Sequence, residues 1–230
     1  GALPREGMLS LLRVVLTNPQ TWIIGFVAGA LYLPLSVFGG LWGVPYLSAV
    51  GGMSTVEASR WISVLYAAWL IGGPLAGILS DRLGKRKVMM VGAAALTMIG
   101  TVFLWLMPPT SAWGLGILLL LIGVTSSVQV VGFAAGLEAN PPAATATSIA
   151  SINMIVMLLG GLLQPAVGWL LDISSSPAMA DSGQFSAGQF QLAMLILPGA
   201  CAIAFVLTFF MKETFRQPIP EEEPYPEEPA

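Results

Sequence analysis

The chain has 230 residues with 56% hydrophobic and 9% charged, against roughly 25% charged in an average soluble domain, and its mean hydropathy of +0.82 leaves too few polar side chains to coat a soluble globule. Its net charge of −3 describes a tail, because Glu221, Glu222, Glu223, Glu227 and Glu228 are five of its twelve acids against nine bases, and no basic stripe or aromatic-basic platform points to nucleic acid. With no histidine and the single Cys201, a His-ligated metal, a His general base, a Ser-His-Asp triad and an internal disulfide are excluded within this chain, and no metal or cofactor is expected.

The first 19 residues, GALPREGMLSLLRVVLTNP, carry Arg5 and Arg13. They show no signal-peptide pattern, and the opening Gly-Ala in place of Met reads as a fragment or a processed product. Six apolar runs follow at approximately 21–46, 61–79, 88–107, 113–137, 148–171 and 191–211. Each meets the requirement of roughly 20 mainly apolar residues for a membrane-spanning helix. The breaks between them hold the Gly, Pro, Asn, Asp and Ser that end helices. The final residues, PIPEEEPYPEEPA, are expected to be disordered.

Lys and Arg in short loops set orientation. Arg5 and Arg13 precede span 1, Arg82, Lys85, Arg86 and Lys87 separate spans 2 and 3, and Lys212 and Arg216 follow span 6. Six crossings put all three places on one side, with only Arg60 opposite. That side is expected to be cytoplasmic, with both termini inside.

Two segments align. Span 2 ends PLAGILSD and span 5 ends PAVGWLLD, so that Pro74, Gly77 and Asp81 each lie 91 residues before Pro165, Gly168 and Asp172. A glycine pair precedes each, Gly72-Gly73 and Gly160-Gly161, at an offset of 88. Three spans separate the copies, so the second is inverted, an arrangement typical of secondary transporters. Coincidence among Gly-rich spans is the alternative.

The stretch GILSDRLGKRK resembles the signature of the major facilitator superfamily. That pattern is Gly, three residues, Asp, a basic residue, any residue, Gly and two basic residues, met here by Gly77, Asp81, Arg82, Gly84, Lys85 and Arg86. The resemblance implies an all-α membrane protein with six transmembrane helices as two inverted three-helix repeats, half of a twelve-helix fold. It implies a division into residues 1–19 as a cytoplasmic linker between halves, 20–211 as the C-terminal transporter half and 212–230 as a disordered acidic, Pro-rich cytoplasmic tail. It further implies that the signature loop meets the N-terminal half and acts as a conformational latch. From the residues themselves, Gly77 permits close helix approach, Gly84 suits a tight turn, and Asp81 can pair with Arg82 and Arg86.

No Asp, Glu, Lys or Arg lies near the middle of a span. Such residues usually mark ion pathways, so proton or sodium coupling would run through the missing half. Candidates for a substrate cavity are Tyr32 and Trp42 in span 1, Tyr66 in span 2, Ser126 and Gln129 in span 4, and Asn153, Met157 and Gln164 in span 5. Asn153, Met157, Gly160 and Gln164 share one helical face. Amides in lipid need partners, so these groups either meet a solute or bond neighbouring helices, and the two tyrosines either stack on a solute or pack. The expected function is alternating-access transport of a small polar organic solute, of amino acid, sugar or organic acid type, across a bacterial inner membrane. The alternative is a transporter-like sensor or interaction module that binds without translocating. An enzyme is disfavoured, for want of the residues such chemistry needs.

Overall fold

The computed structural model describes residues 7–106, 111–175 and 185–215. Among these, six helical segments are long and apolar enough to cross a membrane: Pro19–Gly51, Thr55–Leu83, Arg86–Leu106, Ala112–Glu138, Pro142–Ile173 and Ala187–Phe210. They are spans 1 to 6; spans 1, 2 and 5 run well beyond their apolar runs because more polar turns extend them, while spans 3 and 4 nearly match theirs. A short helix, α1 (Met8–Thr17), precedes span 1.

Local chemistry sets the ends. Ser54 and Glu57 form a capping box at the start of span 2, Ser111 accepts the Gly114 N–H at the start of span 4, and Ser186 with Gln189 caps span 6. Spans 1 and 2 stop at glycines in the left-handed region, Gly52 (φ 65°) and Gly84 (φ 60°).

Spans 1, 4 and 6 are interrupted. Span 1 runs as helix α2 (Pro19–Leu33), a π-helical segment (Pro34–Trp42) and α3 (Gly43–Gly51). Proline at position 34 lacks the N–H that the α ladder needs. Span 2 is α4 (Thr55–Leu83) and span 3 is α5 (Arg86–Leu106). Span 4 divides into α6 (Ala112–Ser126) and α7 (Gln129–Glu138). Span 5 is a 3₁₀ turn (Pro142–Ala144) leading into α8 (Thr145–Ile173). Span 6 is α9 (Ala187–Met194) and α10 (Ile196–Phe210), divided just before Pro198.

The packing follows the inverted repeat. Exchanging spans 1, 2 and 3 for 4, 5 and 6 turns the pair 2–4 into 5–1, the pair 3–4 into 6–1, and leaves 3–6 unchanged. Spans 2–4 and 1–5 make the most extensive contacts, and 3–6, 3–4, 6–1 and 1–4 also pack together. The repeat recurs at the residue level. Ser36 and Ser127 are separated by the offset of 91 that separates Asp81 from Asp172, and both lie at the irregular middle of their spans. A methyl group at Gly160 would lie 3.1 Å from Ser36 Oγ, and one at Gly72 would strike Ser127 Oγ. The same glycine-on-serine contact therefore joins span 5 to span 1 and span 2 to span 4.

The two aspartates lie at opposite ends of the bundle. The Asp81 end also holds Asn18, Arg86, Glu138 and Glu213, tied by hydrogen bonds. The Asp172 end holds Gln189, bonded to the Ser174 carbonyl, and Trp105, whose indole N–H donates to the Gln191 carbonyl.

Close packing relies on selected glycines. At Gly123 an added methyl would lie 2.6 Å from both the Leu65 carbonyl oxygen and Ala68 Cβ. Gly77 differs from its expected role within this half, since nothing in the described structure lies within 4 Å of such a methyl. Any close approach at Gly77 comes from outside the described bundle. Gly123→Ala should therefore cost about 1–3 kcal/mol through overpacking, while Gly77→Ala, in open space inside a helix, should leave the half-bundle as stable or raise its stability by up to about 1 kcal/mol. Thermal unfolding of the two variants in detergent measures the contrast.

Candidate functional site: the Arg86 cluster and the span 1 clasp

Gly84 ends α4 by donating its N–H to the Ser80 and Asp81 carbonyls at 3.0 and 3.3 Å. Two residues later Arg86 begins α5, and its side chain turns back under the loop. Nη1 donates to Asp81 Oδ1 at 2.6 Å and to Ser80 Oγ at 3.0 Å. Nη2 and Nε donate to Glu138 Oε1 at 2.8 and 3.2 Å, a planar fork that suits a carboxylate. The guanidinium thus joins spans 2, 3 and 4.

The chain after span 6 closes the cluster. Glu213 accepts the backbone N–H groups of Arg86 at 2.8 Å and Lys87 at 3.2 Å, a carboxylate at the positive end of α5. Thr214 Oγ1 donates to Glu138 Oε2 at 3.2 Å, and Arg86 Cζ lies 4.9 Å from the Phe215 ring centroid, within cation–π range. Backbone and side-chain hydrogen bonds hold the first residues of the expected tail, 212–215, against the bundle. Residues 216–230, with the acidic run, lie outside the described residues.

Of the six signature residues, Arg86 is the centre and Asp81 its partner. Arg82 and Lys85 are exposed, and neither forms an ion pair among the described residues. Asp81 therefore pairs with Arg86 and not with Arg82. Glu138 and Glu213 escaped the sequence reading. Their signal was topological, since the loop after span 4 and the segment after span 6 share a side with the signature loop.

Beside the cluster, Asn18 Nδ2 donates to the Ala139 carbonyl at 2.9 Å and Asn140 Oδ1 at 3.0 Å. Asn140 Nδ2 donates to Thr21 Oγ1 at 3.1 Å and the Gly136 carbonyl at 2.8 Å. This network ties the loop between spans 4 and 5 to the start of span 1.

The cavity candidates separate into three groups. Tyr66, Gln164 and Trp42 converge on the π-helical segment. Tyr66 OH donates to the Leu35 carbonyl at 3.3 Å and Gln164 Nε2 to the Ser36 carbonyl at 2.7 Å. Trp42 Nε1 donates to the Gln164 carbonyl at 3.0 Å. These groups clasp span 1 between spans 2 and 5. A second group is internal. Tyr32 packs near Trp69 with ring centroids 6.3 Å apart. Ser126 is buried and donates to the Gly123 carbonyl. Gln129 is buried at the first turn of α7, and its Oε1 has no partner among the described residues, as is also true of Trp69 Nε1. In the third group, Asn153 and Met157 are exposed. The expected single face of span 5 is thus divided, with Gly160 and Gln164 turned to span 1 and Asn153 and Met157 turned outward.

A sequence profile of the Major Facilitator Superfamily matches residues 2–165. The chain belongs to that superfamily. It is 28% identical over 171 residues to the probable nitrate/nitrite transporter NarK2 of Mycobacterium tuberculosis, a match covering 70% of this chain and 40% of that protein. It is 32% identical over 100 residues to the membrane sensor protein UhpC of Escherichia coli, covering 43% of this chain and 23% of that protein. The chain spans less than half the length of these relatives, in keeping with the six-helix half of a superfamily transporter.

Glu138 is the better buried partner of Arg86, with its side chain 13% exposed against 66% for Asp81. Breaking a buried pair from one side costs about 3–5 kcal/mol, so Glu138→Gln should destabilise the fold strongly. Asp81→Asn, at an exposed site, should cost about 1 kcal/mol or less. Chemical unfolding of both variants in micelles tests this order.

Proposed function

We propose that this chain is the C-terminal half of a secondary transporter that moves a small polar organic solute across a bacterial inner membrane by alternating access. The observation that carries the reading is the mirrored packing of spans 1–5 and 2–4, joined by the paired glycine-on-serine contacts. Two such triplets form a unit able to rock as a body against an N-terminal six-helix half. The Arg86 cluster would hold the cytoplasmic end rigid, with Asp81 presented to the partner half as the latch. The basic residues at this end support its cytoplasmic placement.

The solute would lie between the halves near the midplane. Asn153 and Met157 are exposed, and Gln129 carries an unsatisfied amide oxygen. Tyr66, Gln164 and Trp42 would act indirectly, by fixing the shape of span 1. Nitrate or nitrite, as in the name of the mycobacterial relative, is less well supported. No Lys or Arg lies near the middle of a span here, so an inorganic anion would find its counter-charge only in the other half. Proton or sodium coupling would likewise belong there.

The non-translocating alternative has a named relative in UhpC, but that match covers 100 residues against 171 for the transporter. Counterflow in proteoliposomes containing the full-length protein separates the two readings, because only a transporter exchanges labelled solute. Asp81→Asn should lower uptake while leaving solute affinity within about twofold, a shift below the roughly 1.4 kcal/mol of a tenfold change. Unchanged uptake would remove the latch role.

A further inference from the structure

Helix α1 belongs neither to the spans nor to the Arg86 cluster. Its sequence, MLSLLRVVLT, gathers Ser10, Arg13 and Thr17 into one narrow strip at spacings of three and four residues. Met, Leu and Val occupy the rest of the surface. Val15 is fully buried, yet Met8 and Leu9 are 82% and 81% exposed, and Leu12 and Val14 are exposed as well. Such a surface suits a boundary between water and hydrocarbon better than either phase alone.

The position of α1 matches that boundary. Asn18 interrupts the helix with an extended backbone (φ −77°, ψ 112°), so α1 does not continue into span 1. The Trp22 indole N–H donates to the Leu16 carbonyl at 2.8 Å, which folds the last turn of α1 against the first turn of the span. The helix also packs on α8 and on the 3₁₀ turn at the start of span 5. It therefore lies across the ends of two spans, at the depth where a half-exposed tryptophan belongs.

Charge points to the same occupant. Arg13, Arg82, Lys85, Lys87 and Lys212 all lie at this end. The acids Asp81, Glu138 and Glu213 there are each engaged by the side chain or backbone of Arg86. Among the described residues the charge left over at this end is cationic, which fits phospholipid phosphates.

We propose that α1 is a membrane-surface anchor, lying in the headgroup–acyl boundary of the leaflet at the Asp81 end. Met8, Leu9 and Leu12 enter the acyl layer, and Arg13 meets the phosphates of anionic lipids. The anchor would hold the approach to span 1 in the membrane plane, whatever solute the protein carries. The proposal gives the α1 part of the expected linker between halves a place at the membrane surface.

Site-directed spin labelling tests the anchor. In a Cys201→Ala background of the full-length protein, nitroxides are attached at Met8→Cys, Leu9→Cys and Thr17→Cys, all exposed positions that leave packing intact. Size-exclusion profiles check the fold. In vesicles of phosphatidylcholine with phosphatidylglycerol, the ratio of oxygen to nickel-chelate accessibility should be several-fold higher at 8 and 9 than at 17. Arg13→Gln, or omission of phosphatidylglycerol, should reduce that difference. Equal nickel access at all three positions would place the helix in water and overturn the proposal. Labels at 8 and 9 that reach neither reagent would show that protein covers the face, whether the other half or a second copy, and would also overturn it. A difference unaffected by both Arg13→Gln and lipid charge would overturn the role given to Arg13.

Discussion

Hydrocarbon offers no hydrogen-bond partner, and this constraint organises the rest of the molecule. Most polar groups within a span therefore find a partner in the chain, and among the described residues Gln129 Oε1 and Trp69 Nε1 are the buried exceptions at the centre of the bundle. Thr101 and Thr125 donate to carbonyls one turn earlier in their own helices, and Thr97 donates to Thr125 across spans 3 and 4 at 2.9 Å. Lipid also removes the hydrophobic drive for one helix to seek another, so close packing through small residues must hold the bundle. That explains why Gly72, Gly123, Gly132, Gly136 and Gly160 sit where neighbouring side chains or backbone press against them. Full charges are left to the ends, where water and counter-charges are available.

The inverted repeat satisfies this constraint with one set of contacts used twice. The repetition covers the frame and not the chemistry. At one end Arg86 gathers Asp81, Glu138 and Glu213. At the other, Asp172 stands in the matching position, exposed and with no ion pair among the described residues. Neutral bonds hold that end, such as the Tyr46 hydroxyl donating to the Leu104 carbonyl at 2.8 Å and the Gln189 amide donating to Ser175 Oγ. A bundle with equivalent frames and unequal ends has a built-in distinction between its two sides.

Much of this was legible from local features. The six spans follow from runs of apolar residues, and the left-handed turn at Gly84 from the one residue type that adopts it freely. The inversion could be read from the matched Pro, Gly and Asp positions. The destinations of hydrogen bonds were not legible. Tyr66 and Gln164 have the composition of cavity residues, but which carbonyl they meet depends on the register of spans 2 and 5 against span 1. Nor does any local rule announce a π-helical segment nine residues long. Its proline is visible in the sequence, while the groups that stabilise the widened turns come from elsewhere in the chain. Glu138 was hidden for a similar reason. It lies 52 residues from Arg86, and only the alternation of spans brings the two together.

The spacing of the signature has a physical account in the same cluster. Asp81 stands on the last turn of α4 and Arg86 on the first of α5, with Gly84 reversing the chain between them. The five-residue separation lets the guanidinium return beneath the loop, where Ser80 and Glu138 hold it from the protein side. Among the described charged groups, Asp81 is the one that meets it from the solvent side. A charge arriving from outside the half-bundle therefore reaches Asp81 first, while Glu138 keeps Arg86 paired. The exposed contact can be exchanged without stripping the buried charge of its counter-ion, which is the costly event. A motif built this way has two unequal carboxylates: the inner one is buried against the fold, and the outer one stands exposed at the surface.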